Sequence, residues 1–251
     1  MELVDSHCHL FMGRLGAEPG AVLDRARAAG VTRFVVPAYD GASWAAVAAL
    51  ATQFDSVIPA FGLHPWTAGE FLDLEGLRAR LIESRAGALG EIGLDYKVPE
   101  PGHARQREVL VRQLQLALEL DLPVILHCRG AFDDLLAIIG ERSGLRGVCH
   151  AFSRGPQLAE RCLAAGLHLG FGGTVTRLRA KRPRRSAQVA PADRILLETD
   201  APSIGLEGVH PEETEPRHVR EIAATLAELR ATSAEAVAEE TTRNARALFR
   251  F

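Results

Sequence analysis

The sequence predicts one (β/α)8 barrel, the TIM-barrel class of α/β fold, as a single domain over residues 1–251. Three observations predict it. Eight short apolar runs rich in Val, Ile, Leu and Phe recur along the chain, longer amphipathic stretches separate them, and no glycine-rich phosphate fingerprint follows any run. Alternation of β and α implies parallel strands joined by crossover helices. Eight such units in about 250 residues is the length of one barrel. An open doubly wound sheet is the rival architecture, and the missing fingerprint argues against it.

The strands are read at 3–8 (LVDSHC), 34–39 (FVVPAY), 57–63 (VIPAFGL), 87–94 (GALGEIGL), 123–128 (PVILHC), 147–152 (GVCHAF), 168–173 (HLGFGG) and 194–200 (RILLETD). Helical periodicity begins near Gly20, Ala42, Glu70, Gly130, Pro156 and Leu178. It is clearest over 104–120, where Leu110, Leu114, Ala117 and Leu118 share a face and Glu108 precedes Arg112 by one turn. Two further helices are expected beyond the last strand. The first, 216–230, carries a stripe of Val219, Ile222, Ala223, Leu226 and Leu229; the second, 233–249, is preceded by Thr232 with Glu235 at capping-box spacing. No linker, low-complexity tract or internal repeat interrupts the series.

The chain is 47% hydrophobic and 24% charged, with 29 basic against 32 acidic residues and a net charge of −3, so no global field draws in nucleic acid. Acidic Glu2 and Asp5 stand where a signal peptide needs cationic and then apolar residues. No apolar stretch approaches a membrane span. The four cysteines form no CxxC pair. These features predict a cytoplasmic protein with reduced thiols and no membrane contact; they say nothing of its oligomeric state.

Active sites of such barrels gather at the C-terminal ends of the strands. His7 and His9 end strand 1, His64 follows strand 3, Glu91 lies on strand 4, His127 ends strand 5, His150 lies on strand 6 and Asp200 ends strand 8. Any one buried histidine is readily explained by a bond to a backbone carbonyl. Five, with two carboxylates, at matching strand ends are not, because a barrel wall is normally aliphatic and a charge there is costly unless paired or bound to metal. Nitrogen and carboxylate ligands suit Zn²⁺ or Mn²⁺ and, less comfortably, Mg²⁺. The ligands are too many for one tetrahedral ion, so two divalent ions with Glu91 as the bridge are expected. Strand alternation sends Cys8, Cys128 and Cys149 outward to pack against helices. The same alternation places Asp5 one layer below His7, and Glu198 one layer below Asp200, as partners orienting ligand histidines.

With these residues in place the chain resembles the TatD family of metal-dependent deoxyribonucleases, within the amidohydrolase-like barrels. The pieces are DSHCHL (5–10), GLHPW (62–66), GEIGLDY (90–96), PVILHCRGAFDDLL (123–136), CHAFS (149–153), GFGGTVT (170–176), LLETDAP (196–202) and TTRNARALF (241–249). The resemblance implies that His7, His9, Glu91 and Asp200 hold one metal, that Glu91, His127 and His150 hold the other, and that His64 faces a substrate phosphate. It also implies hydrolysis of DNA, single-stranded or at a duplex end. Asp200 would manage the proton of the attacking water, and Arg129, which shares the parity of His127, would meet a non-bridging oxygen. One segment departs from the family pattern. HPEETEPRH (210–218) keeps Glu215-Pro216, but has Thr214 where asparagine is expected and adds Glu212 and Glu213. This loop resembles a YjjV-like branch.

An opposite signal follows strand 7. RLRAKRPRR (177–185) holds six basic residues and no acid. Arg179, Lys181 and Arg182 are candidates for holding a nucleic-acid backbone, against the plainer reading of a solvated helix start. Two rival functions remain open: an esterase such as a D-aminoacyl-tRNA deacylase, served by the same metals, and a catalytically silent barrel acting as a binding partner.

Overall fold

The computed structural model describes residues 1–70 and 72–251, and its eight strands form one parallel sheet in chain order. They are β1 (Leu3–Asp5), β2 (Val31–Pro37), β3 (Val57–Phe61), β4 (Ala88–Asp95), β5 (Val124–Arg129), β6 (Gly147–Cys149), β7 (Leu167–Phe171) and β8 (Ile195–Leu197). The helices are α1 (Gly13–Ala17), α2 (Pro19–Ala28), α3 (Gly41–Gln53), α4 (Leu74–Glu83), α5 (His103–Glu119), α6 (Phe132–Gly140), α7 (Pro156–Ala164), α8 (Lys181–Val189), α9 (Val219–Arg230) and α10 (Ala234–Phe249). The (β/α)8 expectation is borne out, with α9 and α10 as the additional C-terminal helices. No helix among the described residues is long and apolar enough to cross a membrane.

The strands alternate between two apolar layers. Val4, Val35, Ile58, Ile125, Val148 and Leu196 fill the barrel interior, while their sequence neighbours Leu3, Phe34, Val57, Val124, Cys149 and Ile195 join the larger cluster beneath the helices. Ala245, Leu248 and Phe249 of α10 complete the interior cluster. Polar side chains of α10 grip the same end: Thr242 Oγ1 donates to the Glu2 carbonyl at 3.0 Å, and Asn244 Nδ2 donates to the carbonyls of Ala192 and Ile195 at 2.8 and 2.9 Å. α10 therefore stoppers the N-terminal mouth of the barrel, leaving the opposite mouth for chemistry. Its N-cap is Ser233, which accepts from Ala236 N at 3.1 Å, rather than the expected Thr232.

The first, sixth and eighth strands end earlier than the sequence predicts, at Asp5, Cys149 and Leu197. The remainder leaves the ladder to converge on the open mouth. Even so, the barrel is sealed along that stretch: Ser6 N donates to Leu197 O, Asp200 N to His7 O and His9 N to Ala201 O, at 2.8–2.9 Å. α5 adds a second fixture, through two buried glutamines seven residues apart on one face. Gln113 exchanges a pair of hydrogen bonds with the backbone of Leu63 (2.7 and 3.1 Å), and Gln106 does the same with Asp95 (2.8 and 3.0 Å). Each amide replaces the ladder partner that a strand end has lost.

Within 210–218, the glutamate that keeps the family pattern has a structural role. Glu215 is buried and accepts from Arg14 at 2.7 Å and from Arg25 through two nitrogens at 2.9 Å, with Arg217 at 3.3 Å. Burial alone would raise its pKa; the Arg25 and Arg14 guanidiniums pull it down to about 2, below the usual 4.5. A depressed carboxylate stabilises the fold fully above pH 4.5 and loses that contribution as the pH falls toward 2. Glu215→Gln should cost ~1–2 kcal/mol at pH 7, after discounting for solvent around the half-exposed guanidiniums. Denaturant melts should show the gap between variant and parent narrowing between about pH 4.5 and about pH 2; an equal gap at about pH 7 and about pH 2 would mean that the charge is not its source.

Candidate metal centre

At the open mouth, the ends of β1, β4, β5, β6 and β8 bring His7, His9, Glu91, His127, His150 and Asp200 together, with His64 from the segment after β3. Two irregularities set the aim. Alternation from Ala88 (inward) and Leu89 (outward) would leave Glu91 outward, but the ladder to β5 slips between Leu89 and Ile92, and the added residue turns Glu91 in. The same shift of phase falls between Asp5 and His7. Val4 points in and Asp5 out, beside Cys8 and bonded to Thr199 N at 2.9 Å and Thr199 Oγ1 at 2.6 Å. Asp5 therefore does not sit below His7 orienting a histidine, as alternation predicted. It ties the end of β1 to the residue before Asp200.

Glu91 is the hub. Its Oε1 lies 2.8 Å from His150 Nε2, 3.2 Å from His127 Nδ1 and 3.3 Å from His64 Nε2. Its Oε2 lies 3.3 Å from His7 Nε2 and 3.7 Å from His9 Nε2. Asp200 Oδ1 closes the second group, at 3.4 Å from His9 and 3.6 Å from His7. Ligand atoms of His7, His9 and Glu91, of His7, His150 and Asp200, and of His64, Glu91 and His127 fall into three clusters compact enough for a metal.

The outer nitrogens decide which rings present a lone pair. His9 Nδ1 faces the Pro37 carbonyl at 3.1 Å and so carries the proton, leaving Nε2 free toward Glu91 and Asp200. His127 Nε2 faces Asp95 Oδ2 at 3.4 Å, leaving Nδ1 free toward Glu91. His64 is the reverse. Its Nδ1 accepts Trp66 N–H at 3.1 Å, so its Nε2 is a donor. Lone pairs aimed at carboxylate oxygens and at one another, with His7 Nε2 and His9 Nε2 3.3 Å apart and His127 Nδ1 and His150 Nε2 3.3 Å apart, repel unless a cation or shared protons lie between them. The donor set fits divalent metal. Electrostatics agree: burial should raise the Glu91 carboxyl, yet His150, His64 and His7 hold it well below the usual range. Against its own burial, His150 is raised to about 10 by Glu91, Glu198 and Asp200. These three carboxylates draw positive charge to their centre.

Around these residues lies a supporting set. Glu198 is wholly buried, with Oε1 3.8 Å from His150 Nδ1 and a hydrogen bond from Ala151 N. Gly170 makes room for it, since a Cβ there would fall 2.2 Å from Glu198 Oε2. Asp95 was not singled out from the sequence. It accepts from Trp66 Nε1 (2.8 Å) and Lys97 N (2.9 Å), and holds the outer nitrogen of His127. The signal was present, an acid inside GEIGLDY one strand away from His127, but strand parity alone does not say which histidine it meets.

The cavity above these residues has a volume of about 490 Å³, and Tyr39, Trp66, Arg129 and Arg154 line its walls. Arg129 lies 3.8 Å from Asp95 with its side chain 57% exposed, free to reach a ligand. The 177–185 run divides. Arg177 and Arg184 are used on the carbonyls of Gly205 and Val175, Arg179 is exposed away from the cavity, and Lys181 and Arg182 line a separate groove. Glu212 and Glu213 are exposed and do not line the cavity. Cys8 and Cys149 lie in the outer core and Cys128 packs against it, as alternation predicted.

The model of the family described as TatD related DNase matches residues 4–250. Among curated proteins, the uncharacterized metal-dependent hydrolase YjjV of Escherichia coli strain K12 is 38% identical over 98% of this chain and 97% of its own. Its crystal structure superimposes with a TM-score of 0.94 at 36% identity, covering 99% of this chain and 98% of that one. The uncharacterized metal-dependent hydrolase YabD of Bacillus subtilis is 33% identical over 99% of both chains. A protein named 3'-5' ssDNA/RNA exonuclease TatD, from Pantoea, is 35% identical over 91% of this chain and 92% of its own.

Proposed function

The chain belongs to the TatD-related family of metal-dependent hydrolases, and from that premise we propose that it is a two-metal phosphodiesterase that shortens DNA from an end. One observation carries the two-metal reading: the two oxygens of Glu91 face different sets of histidines, so a single carboxylate reaches two centres. His7, His9, Glu91 and Asp200 would hold one ion, and Glu91, His127 and His150 the other. Zn²⁺, Mn²⁺ or Mg²⁺ at these positions would supply an acidified water and a positive field at the phosphoryl group.

The chain's own residues do the rest. Asp200, anchored through its backbone N–H to the His7 carbonyl, accepts the proton that the attacking water sheds. His64 Nε2–H donates to a non-bridging oxygen, a part suited to a ring whose Nδ1 is already engaged. Arg129 approaches the same phosphate from the wall. The exposed indole of Trp66, held by Asp95, offers a face for a terminal base. The polynucleotide reading draws further support from the name of the Pantoea relative.

The test is back-titration of chelated protein with Mn²⁺ or Zn²⁺ while following end-labelled single-stranded DNA, a dinucleotide and an aminoacyl ester of tRNA. Full rate is expected near two equivalents, with mononucleotides released from one end. Full rate at one equivalent would remove the two-ion reading. Hydrolysis of the acyl ester alone would replace the phosphodiester reading by an esterase.

A further inference from the structure

Beside the metal cavity a second groove of about 560 Å³ opens between the start of α7 and the start of α8, lined by the cations Arg154, Arg161, Lys181, Arg182 and Arg185. Arg154 lines the metal cavity too, so the two depressions meet at one guanidinium. Among the described residues Arg161 alone of the five is ion-paired, with Asp133 at 2.8 Å. The scaffold is fixed. α8 buries Pro183, Ser186 and Ala187, which leaves Lys181, Arg182 and Arg185 on its other side. Ser186 Oγ donates to the Arg154 carbonyl at 2.7 Å, and the Arg154 guanidinium sits 5.8 Å over the Phe132 ring.

This arrangement is unfavourable to itself. Like charges one turn apart on a helix repel. α8 also begins with two cations and no acid in its first turn, at the end where the helix dipole is already positive. Neither α7 nor α8 has a side-chain N-cap, so amide donors at both starts lack side-chain partners. A row of phosphates answers all three. Among the described residues no aromatic side chain lines the groove, which suits recognition of a backbone rather than of stacked bases.

Resting on the phosphodiesterase reading of the metal centre, we propose that the α7–α8 groove is a second, non-catalytic anion site. It holds the sugar–phosphate backbone of a single-stranded polynucleotide whose end lies in the metal cavity, with Arg154 as the junction. The site predicts that affinity grows with strand length beyond the nucleotides at the metals, and that this growth depends on Lys181, Arg182 and Arg185.

The experiment uses the metal-loaded protein and labelled oligothymidylates of two, four and six nucleotides, with terminal phosphorothioate linkages that resist hydrolysis. Binding is read by fluorescence anisotropy for the parent and for the Lys181→Gln/Arg182→Gln/Arg185→Gln variant. The parent should bind the hexamer more tightly than the dimer. The variant should lose that gain, on the order of tenfold near 0.1 M salt, with the slope of log K against log salt flattened by up to about 0.7 per lost contact. Dimer binding should be unchanged. Oligouridylates should respond equally, because phosphate is the shared chemistry; a loss confined to DNA or RNA would place recognition on the sugar and overturn the backbone reading. The proposal also fails if the hexamer binds parent and variant alike, if the parent shows no gain with length, or if oligoglutamate of equal charge competes as well as the hexamer. Failure of the metal-centre reading is seen separately, as no hydrolysis of an unmodified dinucleotide by the parent.

Discussion

Glu91→Ala should empty both metal positions and lower the rate of phosphodiester hydrolysis by on the order of 10³-fold or more, the scale of losing a principal electrostatic stabiliser. The side chain is buried, and its two oxygens are shared among five imidazoles. Asp200 does not take both places, because among the described residues its ion pairs are with His7 and His9 and not with His64 or His127. The fold should survive, since the apolar interior lies deeper in the barrel and the histidines can shed protons rather than remain buried and charged. Elemental analysis of purified protein, with circular dichroism as the folding control, reads the outcome. One fully retained ion together with a parental rate would show that Glu91 bridges nothing.

Asp95→Asn should weaken metal binding by about 10–100-fold, the usual scale for removing a carboxylate behind a ligating histidine. Asp95 is a positioning residue: its Oδ2 accepts both the Trp66 indole N–H and the outer nitrogen of His127. An amide that keeps the Lys97 bond through its oxygen presents an NH₂ group to those two donors. His127 can then satisfy that amide only by accepting on Nε2, which moves its proton to Nδ1, the atom that faces Glu91. Titration of chelated protein with Zn²⁺ should therefore show one weakened class of site while the other stays near its parental affinity. A purely structural role would leave both affinities alone and only lower thermal stability. Asp95→Glu, which restores the charge, should recover part of the lost affinity; no recovery together with unchanged metal binding in Asp95→Asn would remove the role altogether.

Much of this was legible in the sequence because it follows from repetition. Eight apolar runs separated by amphipathic stretches specify the barrel, and the strand-end rule collects His7, His9, Glu91, His127, His150 and Asp200 without further information. The illegible parts are those where the chain breaks its own period. Parity failed at Asp5 because a phase change intervenes before His7, and no residue type announces it. Glu91 was assigned to the interior correctly, though strict alternation from Ala88 would have sent it out; only the ladder slip at 89–92 reconciles the two. Gln106 and Gln113 escaped notice because an apolar-stripe reading of 104–120 looks past polar residues, yet both are buried and pin strand ends. Arg179 belongs to the basic run in sequence but falls outside the groove, since it lies in the turn before α8 begins at Lys181.

The seam between the first and last strands has a consequence for how the protein comes into being. His7 and His9 are among the earliest residues made and Asp200 among the late ones, and the bonds that set them face to face join residues as far as 194 apart in sequence, as between Asp5 and Thr199. A growing chain on the ribosome can fold β–α units in order as they emerge, but it cannot complete this cation pocket until the final strand has been synthesised and has docked on the first. Closures across so long a loop come late in folding. Hydrolase activity is thereby tied to completion of the molecule: a truncated product ending before Asp200 would carry most of the histidines, but not the second wall that faces them.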